Sequence, residues 1–317
     1  MGGTRVCGSF SEILREVWDL RETYRRDTRY ADCELFFRGE YRSYRTDGDS
    51  SLPSPAGNAI PGLFRPDEDG SYTLRDNEHI MLHEAMRRYP DFVNPGMPTM
   101  ELLSRMEHYF LPTRLLNISE DLRLATAMAV IPMQIHKKND KNGFIYVYAI
   151  RKNRIKYIDS DTATAIAAMA RLSPDKIDFE GDLGYLEHEI RRERPGFAIT
   201  ERLRDQLVAD LQHLWCIKPL LSTDHIRAQS GCFILFGNGS HKQPLAPTYS
   251  HEDFNNPQAP SYGIEQIDVI HINGERKLHI RDELEMIGMA EYQYYTEFTK
   301  FAEVFKRHLT EKGGCHE

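Results

Sequence analysis

Apolar side chains recur at Ile13, Leu14, Val17, Trp18, Leu20 and Tyr24, the spacing of an amphipathic helix over residues 10–28. Glu34-Leu-Phe-Phe37 follows as a short strand that delivers Arg38-Gly39-Glu40 at its end. Ser, Pro, Gly and Asp run through 41–74, which reads as a long functional loop. A helix near 77–90 is opened by Asn77 or Asp76 and carries Glu78 and Glu84. Met100, Leu103 and Met106 keep a helical spacing that should end at His108 and Tyr109. Pro112 cannot continue that helix and biases Leu111 toward extended geometry. Thr113 to Ser119 then reads as a short buried strand. Glu120 to Val130 reads as a helix whose Ala125, Ala127 and Ala129 permit close approach to the strand carrying Arg38.

Gly143 to Ile150 is the clearest strand, a continuous apolar run rich in β-formers. Helices are expected at 161–172, at 183–194 and at 200–214, the last with Leu203, Leu207, Leu211 and Leu214 in register. Ser230 to Gly237 and Ile267 to Ile272 are two further buried strands, followed by amphipathic helices to His308. The polar stretches 152–160 and 239–262 are candidate hinges, with no clear linker. The pattern predicts one α+β domain over 31–308 with helical additions, an N-terminal helical segment at 1–30 and a tail at 309–317.

Composition narrows the function classes. A chain of 317 residues can bury a sizeable core, and 40% hydrophobic with 28% charged residues is ordinary for a globular protein. A formal charge of -8 argues against broad binding to nucleic acid or anionic membrane, while leaving a local basic cleft open. Cys7, Cys33, Cys216, Cys232 and Cys315 are scattered without a C-x-x-C or a signal peptide, which reads as reduced thiols in a cytoplasm. The histidines show no H-E-x-x-H or paired Cys/His spacing, so no metal is expected. No apolar run approaches the ~18 residues of a membrane span.

The densest chemistry lies between Met106 and Ser119, where an imidazole, a phenol, two hydroxyls, a guanidinium and an amide flank Pro112. Around it, Phe37-Arg38-Gly39 is followed by Leu52-Pro53-Ser54, Asn77-Glu78, His108-Tyr109 and Leu111-Pro-Thr-Arg-Leu-Leu116. Gly143 to Tyr148, Ser160-Asp161, Leu186 to Phe197, Lys218-Pro219, Ile226 to Phe233 and Lys277 continue the series. Motifs of this kind in this order resemble the FRG domain, a family named for its Phe-Arg-Gly tripeptide, over roughly residues 10–308. The chain departs from the family's usual residues at Glu107 (Gln), Phe110 (Gly), Asn117 (Asp), Ser119 (Thr), Asp121-Leu122 (Asn-Pro) and Met128 (aromatic). Asn117 thus lacks a carboxylate but keeps its hydrogen-bonding capacity.

FRG proteins resemble parts of bacterial toxin and antiphage-defence systems, and the order of elements is similar to that of mono-ADP-ribosyltransferases. The resemblance implies a central mixed or antiparallel sheet of ADP-ribosyltransferase-like type, with NAD as co-substrate. It also implies a macromolecular target and an antitoxin or defence-system partner protein. In that reading Arg38, His108 and Gln229 are the catalytic candidates. Arg38, Gly39, Tyr109, Thr113, Arg114, Asn117, Ser119 and Arg227 would contact NAD.

Arg38 suits a phosphate or a ribose hydroxyl, and Gly39 lets its backbone approach the nicotinamide amide. His108 and Tyr109 would bind a ribose hydroxyl or stack on a ring, Thr113 and Arg114 would take a second phosphate, and Gln229 would bond a ribose hydroxyl. Structural roles stay open for the same residues. Arg38 can pair with Glu78 or Glu84, Arg114 can brace Asn117 or a carboxylate, Ser119 can cap the next helix, and His108-Tyr109 can be a core helix end. Any catalytic carboxylate would come from Glu78, Glu84 or Glu107. Two other functions compete: an inactive sensor of a nucleotide-like ligand or interaction module, and a metal-independent nuclease.

Overall fold

Eight strands form one mixed sheet in the order β1-β8-β4-β2-β3-β7-β6-β5. They are β1 (Val6–Cys7), β2 (Cys33–Glu40), β3 (Leu115–Ser119), β4 (Gly143–Arg151), β5 (Ile155–Tyr157), β6 (Leu214–Lys218), β7 (Gly231–Phe236) and β8 (Ile264–Ile272). The outermost pairs, β1 with β8 and β5 with β6, are parallel, and the five inner pairs are antiparallel. The structure is a computed structural model that describes residues 6–43, 53, 59–109, 111–131, 141–177, 183–220, 231–238, 245 and 247–289. Helices are α1 (Phe10–Arg26), α2 (Thr73–Asp76), α3 (Glu78–Arg88), α4 (Thr99–His108), α5 (Leu122–Val130), α6 (Asp161–Ala168), α7 (Gly184–Glu193), α8 (Glu201–Leu211), α9 (His251–Asn255) and α10 (Lys277–Met286).

Period two in the strands sorts side chains between two faces. Phe37, Ile145 and Val147 face α1, α5 and α10, burying Ile13, Val17, Ala125, Ala129 and Ile280. On the same face of the other half-sheet, Leu115, Trp215, Phe233 and Leu235 pack against Leu103, Met106, Ile166 and Leu211. Phe36, Leu116, Tyr146, Tyr148 and Phe236 point the opposite way, under Leu63, Phe64 and Tyr249. β4 is covered on both faces, which is why it reads as an unbroken apolar run.

Helix α5 lies directly on the sheet backbone. A Cβ at Gly39 would stand 1.9 Å from the Ala125 carbonyl oxygen, and one at Gly143 would stand 2.3 Å from that of Ala129. The expected close approach of the alanine helix to the Arg38 strand therefore holds, and the two glycines make it possible.

Several expectations change. Leu214 does not extend helix α8: the helix ends at Leu211, and Leu214 opens β6 by pairing with Phe236. Residues 152–160 are not a hinge, because Ile155–Tyr157 adds β5 beside β6. Within 239–262, Tyr249 and Phe254 are buried in the core. The stripe of α1 is narrower than its sequence, with Ile13 and Val17 buried but Leu14 and Trp18 50% and 56% exposed. Residues 6–26 share the sheet and core of the rest through β1 and α1. The helix expected over 161–172 is helical to Ala168 and finishes as a tighter turn at Met169–Arg171. Residues beyond 289, including the tail at 309–317, lie outside the described residues.

Among the described residues the most deeply buried charge is Arg114, 1% exposed. Its Nε donates to Glu78 Oε1 at 2.9 Å, its Nη2 pairs with the other carboxylate oxygen, and its Nη1 donates to the Phe236 carbonyl at 3.3 Å. Removing one partner strands the other in a dry interior, at a cost of about 3–5 kcal/mol. In urea denaturation, Arg114→Met should lose stability on that scale. The double variant Arg114→Met/Glu78→Leu should regain most of it.

Candidate functional site

β2 pairs with β4 along its whole length, from Cys33 to Glu40. Its other edge meets β3 at one position, Phe37 opposite Ser119. Past that pair the strands part, so Arg38-Gly39-Glu40 and Leu115 to Ile118 face each other without ladder hydrogen bonds. Arg38 spans the opening: its Nη1 donates to the Asn117 carbonyl at 2.9 Å. Its side chain is 19% exposed, and its buried Nε has no acceptor in hydrogen-bond range, the nearest carboxylate oxygen, Glu40 Oε1, being 3.6 Å away.

Glu40 shares a strand face with Arg38, two residues on, and its Oε2 accepts from the Tyr146 hydroxyl at 2.9 Å. Tyr146 stands opposite Arg38 on β4. One step along the same face, Tyr148 is fully buried with an unpartnered hydroxyl. Burial pushes that phenol's pKa up, Glu40 adds to the rise, and Arg38 opposes it. Tyr249 closes this side with its ring edge-on to Tyr148 at 5.6 Å and its hydroxyl donating to the Ala59 carbonyl. Its φ of 52° is a costly backbone state for a large residue, held here by burial on every side.

Glu107 approaches from the other sheet face, on the last turn of α4. Its Oε2 accepts from the Thr113 hydroxyl at 2.7 Å and its Oε1 from the Asn117 amide at 3.0 Å. Burial raises its pKa above the ordinary 4.5, while the Thr113 bond and the charges of Arg38 and Arg65 pull it back. The opening is thus flanked by Arg38, Arg65, Glu40 and Glu107, with tyrosines on one side.

Of the residues singled out from sequence, Arg38, Thr113 and Asn117 come together here. Gly39 borders the opening through its backbone alone, since the side on which a Cβ would stand is packed against α5. Arg114 is spent on Glu78 in the interior, so it presents no guanidinium to a phosphate. Ser119 is buried with its Oγ accepting the Asp121 N–H, and Asp121 rather than Ser119 caps α5 through the Arg123 N–H. Tyr109 turns away onto Phe92, ring centres 4.4 Å apart, with His108 edge-on to it at 5.4 Å. Arg227 and Gln229 lie outside the described residues. Of the carboxylates, Glu78 is committed to Arg114, and Glu84 is at the surface, held at a pKa of about 2 by Arg87 and Arg88. Glu107 remains.

Glu40, Tyr146 and Tyr148 were missed. Their signal was period two: Arg38 and Glu40 on one strand, and Tyr146 and Tyr148 on the next, all fall on one face. Among the described residues no cluster of three His, Cys, Asp or Glu side chains is placed to hold a metal ion, and no helix is long and apolar enough to cross a membrane.

The electrostatic account is testable by carbon-detected NMR titration, in which the Glu107 carboxyl should titrate above 4.5. Arg38→Met should move it higher by removing a stabilising charge. A raised carboxyl pKa means that folding favours the protonated form, so its contribution to stability falls as pH climbs from 4.5 through the folded-state value. Glu107→Gln should flatten that part of the pH–stability curve. Comparison with protein-family models, with curated proteins and with solved structures finds no match to this chain.

Proposed function

We propose that this chain is an NAD-using transferase of ADP-ribosyltransferase-like type, acting on a macromolecular target as a toxin or defence effector. One observation carries the reading: Arg38 bridges the parting of β2 and β3 with an unspent buried Nε, between two carboxylates and beside an orphaned tyrosine hydroxyl. Unsatisfied buried donors are costly in a finished interior and useful in a binding site. The resemblance of the Phe37-Arg38-Gly39 segment and the Leu111 to Leu116 segment to the FRG family points the same way.

In such a transfer the bond between ribose C1′ and the nicotinamide nitrogen breaks, and its electron pair leaves with nicotinamide. A nucleophile on the target bonds to C1′ and gives up its proton. Arg38 would hold an anionic oxygen of NAD, a planar donor against a phosphate. Glu107, with its pKa raised by burial, is the carboxylate suited to take the proton, because a base works best when its pKa lies nearer the working pH. Glu40, oriented by Tyr146, would place negative charge near the positive ribose of the transition state.

A second reading is a sensor that binds a nucleotide-like ligand without chemistry. It is favoured by the Thr113 and Asn117 bonds that already engage both oxygens of Glu107.

Millimolar NAD should raise the melting temperature, and Arg38→Ala should abolish the rise while leaving the unliganded melt within a few degrees. Labelled NAD with cell lysate should then release nicotinamide and label a macromolecule, and Glu107→Gln should suppress the label more than the binding. Stabilisation without nicotinamide release would select the sensor. A chain indifferent to NAD in calorimetry would sink the transferase reading.

A further inference from the structure

At the far end of the sheet, the run Arg151-Lys-Asn-Arg-Ile-Lys-Tyr157 crosses from β4 into β5. Three of its cations alternate with aromatic rings in a ladder. The Arg151 guanidinium lies 4.2 Å from the Phe254 ring centre and 5.3 Å from that of Tyr262. Arg154 lies 5.4 Å from Tyr262 and 3.8 Å from Trp215, and the Lys156 ammonium is 5.2 Å from Trp215. Aromatic faces attract cations, yet they cancel no charge.

Among the described residues no carboxylate pairs with Arg151, Arg154 or Lys156. The neighbouring exposed Lys152 has a loose pairing with Asp32 at 3.5 Å. Arg154 is buried, with Nη2 donating to the Leu214 carbonyl at 3.3 Å and Nε without an acceptor. Burial, joined by the like charge of Arg151 and opposed by Asp210 and Tyr262, holds its pKa down to about 10. The backbone is shaped around this side chain: Gly263 has φ +75°, and a Cβ there would come within 2.7 Å of Arg154 Cγ. A buried cation without an anion is costly, so the place is set up for an anion from outside.

We propose that this ladder binds the phosphodiester backbone of single-stranded nucleic acid. Regularly spaced phosphates match a row of cations better than one compact anion does. Arg151 and Lys156 are partly exposed and, with the exposed Lys152 beside them, would make the contacts, while Arg154 adds its charge from beneath. Tyr157, the last residue of the sheet's edge strand, alternates to the opposite strand face from Lys156, is 68% exposed, and offers a ring on which a base can stack where the polymer passes round that free edge. The net charge of -8 confines such binding to this face. The site shares no residue with the opening at Arg38, so it stands whether or not the chain uses NAD.

The test is fluorescence anisotropy of a short labelled oligouridine titrated with the full chain at several salt concentrations. Saturable binding is expected, with log K falling against log salt by about 0.7 per phosphate neutralised. Lys152→Glu/Lys156→Glu should weaken it at least about tenfold and flatten the slope, and the milder Lys152→Gln/Lys156→Gln should lie between. Tyr157→Ala should weaken it by about tenfold with the slope unchanged. Circular dichroism melts of each variant should match the parent. Absence of saturable binding at low salt would overturn the proposal, as would equal affinity in the charge-reversed variant. Equal competition by polyglutamate, or equal affinity for a duplex of the same length, would also overturn it.

Discussion

The parting of β2 from β3 is the constraint on which the rest of the architecture turns. Four strands, β1-β8-β4-β2, form one ladder and four, β3-β7-β6-β5, form another. A single residue pair, Phe37 with Ser119, joins them by backbone. Arg38 supplies a second join by carrying a side-chain donor to the Asn117 carbonyl, in place of a ladder bond that the divergence removes. Interior backbone carbonyls need partners. A side chain that provides one leaves space a strand would have filled, and the polar cluster occupies the margin of that space.

Different devices rigidify the two halves. In the first, α5 rides on the sheet backbone through Gly39 and Gly143, where any side chain would collide with the helix. In the second, the buried Arg114–Glu78 pair ties the start of β3 to α3, with Phe236 of β7 accepting from the same guanidinium. Glu107, at the end of α4, reaches β3 through Thr113 and Asn117. Side chains at the opening are thus set by elements fixed independently on either side, which is how a site keeps its geometry while holding unsatisfied donors.

Charges in this protein follow two patterns. At the opening, Arg38 and Arg65 stand among Glu40 and Glu107, and partial burial makes the carboxyl protonation state sensitive to a neighbour's charge. Along β4 and β5, cations meet rings instead of carboxylates. The first arrangement is balanced within the protein. The second is left positive.

The sequence by itself determined the elements whose periodicity one face dictates. Helix α4 ending at His108, the strand before Ser119, the alanine helix and the long β4 all lie where apolar spacing and Pro112 put them. Short strands near the margin of the sheet escaped it: Leu214 continued a helical leucine repeat, and only the backbone bonds to β7 and to the Pro260 carbonyl turned it into β6. Thr113 and Asn117 were legible as candidate site residues because polar groups beside buried apolar ones need a reason, and Arg38 because a short strand delivers it at its end. Their partners were not. That Arg114 takes Glu78, that Gly39 serves helix packing, and that Glu40 and the tyrosines join Arg38 depend on which strand lies beside which and on which face each side chain leaves. Chain order does not encode that directly. Sheet pairing between segments far apart in sequence decides it, and so tertiary structure alone could separate the groups that brace the fold from those that face the opening.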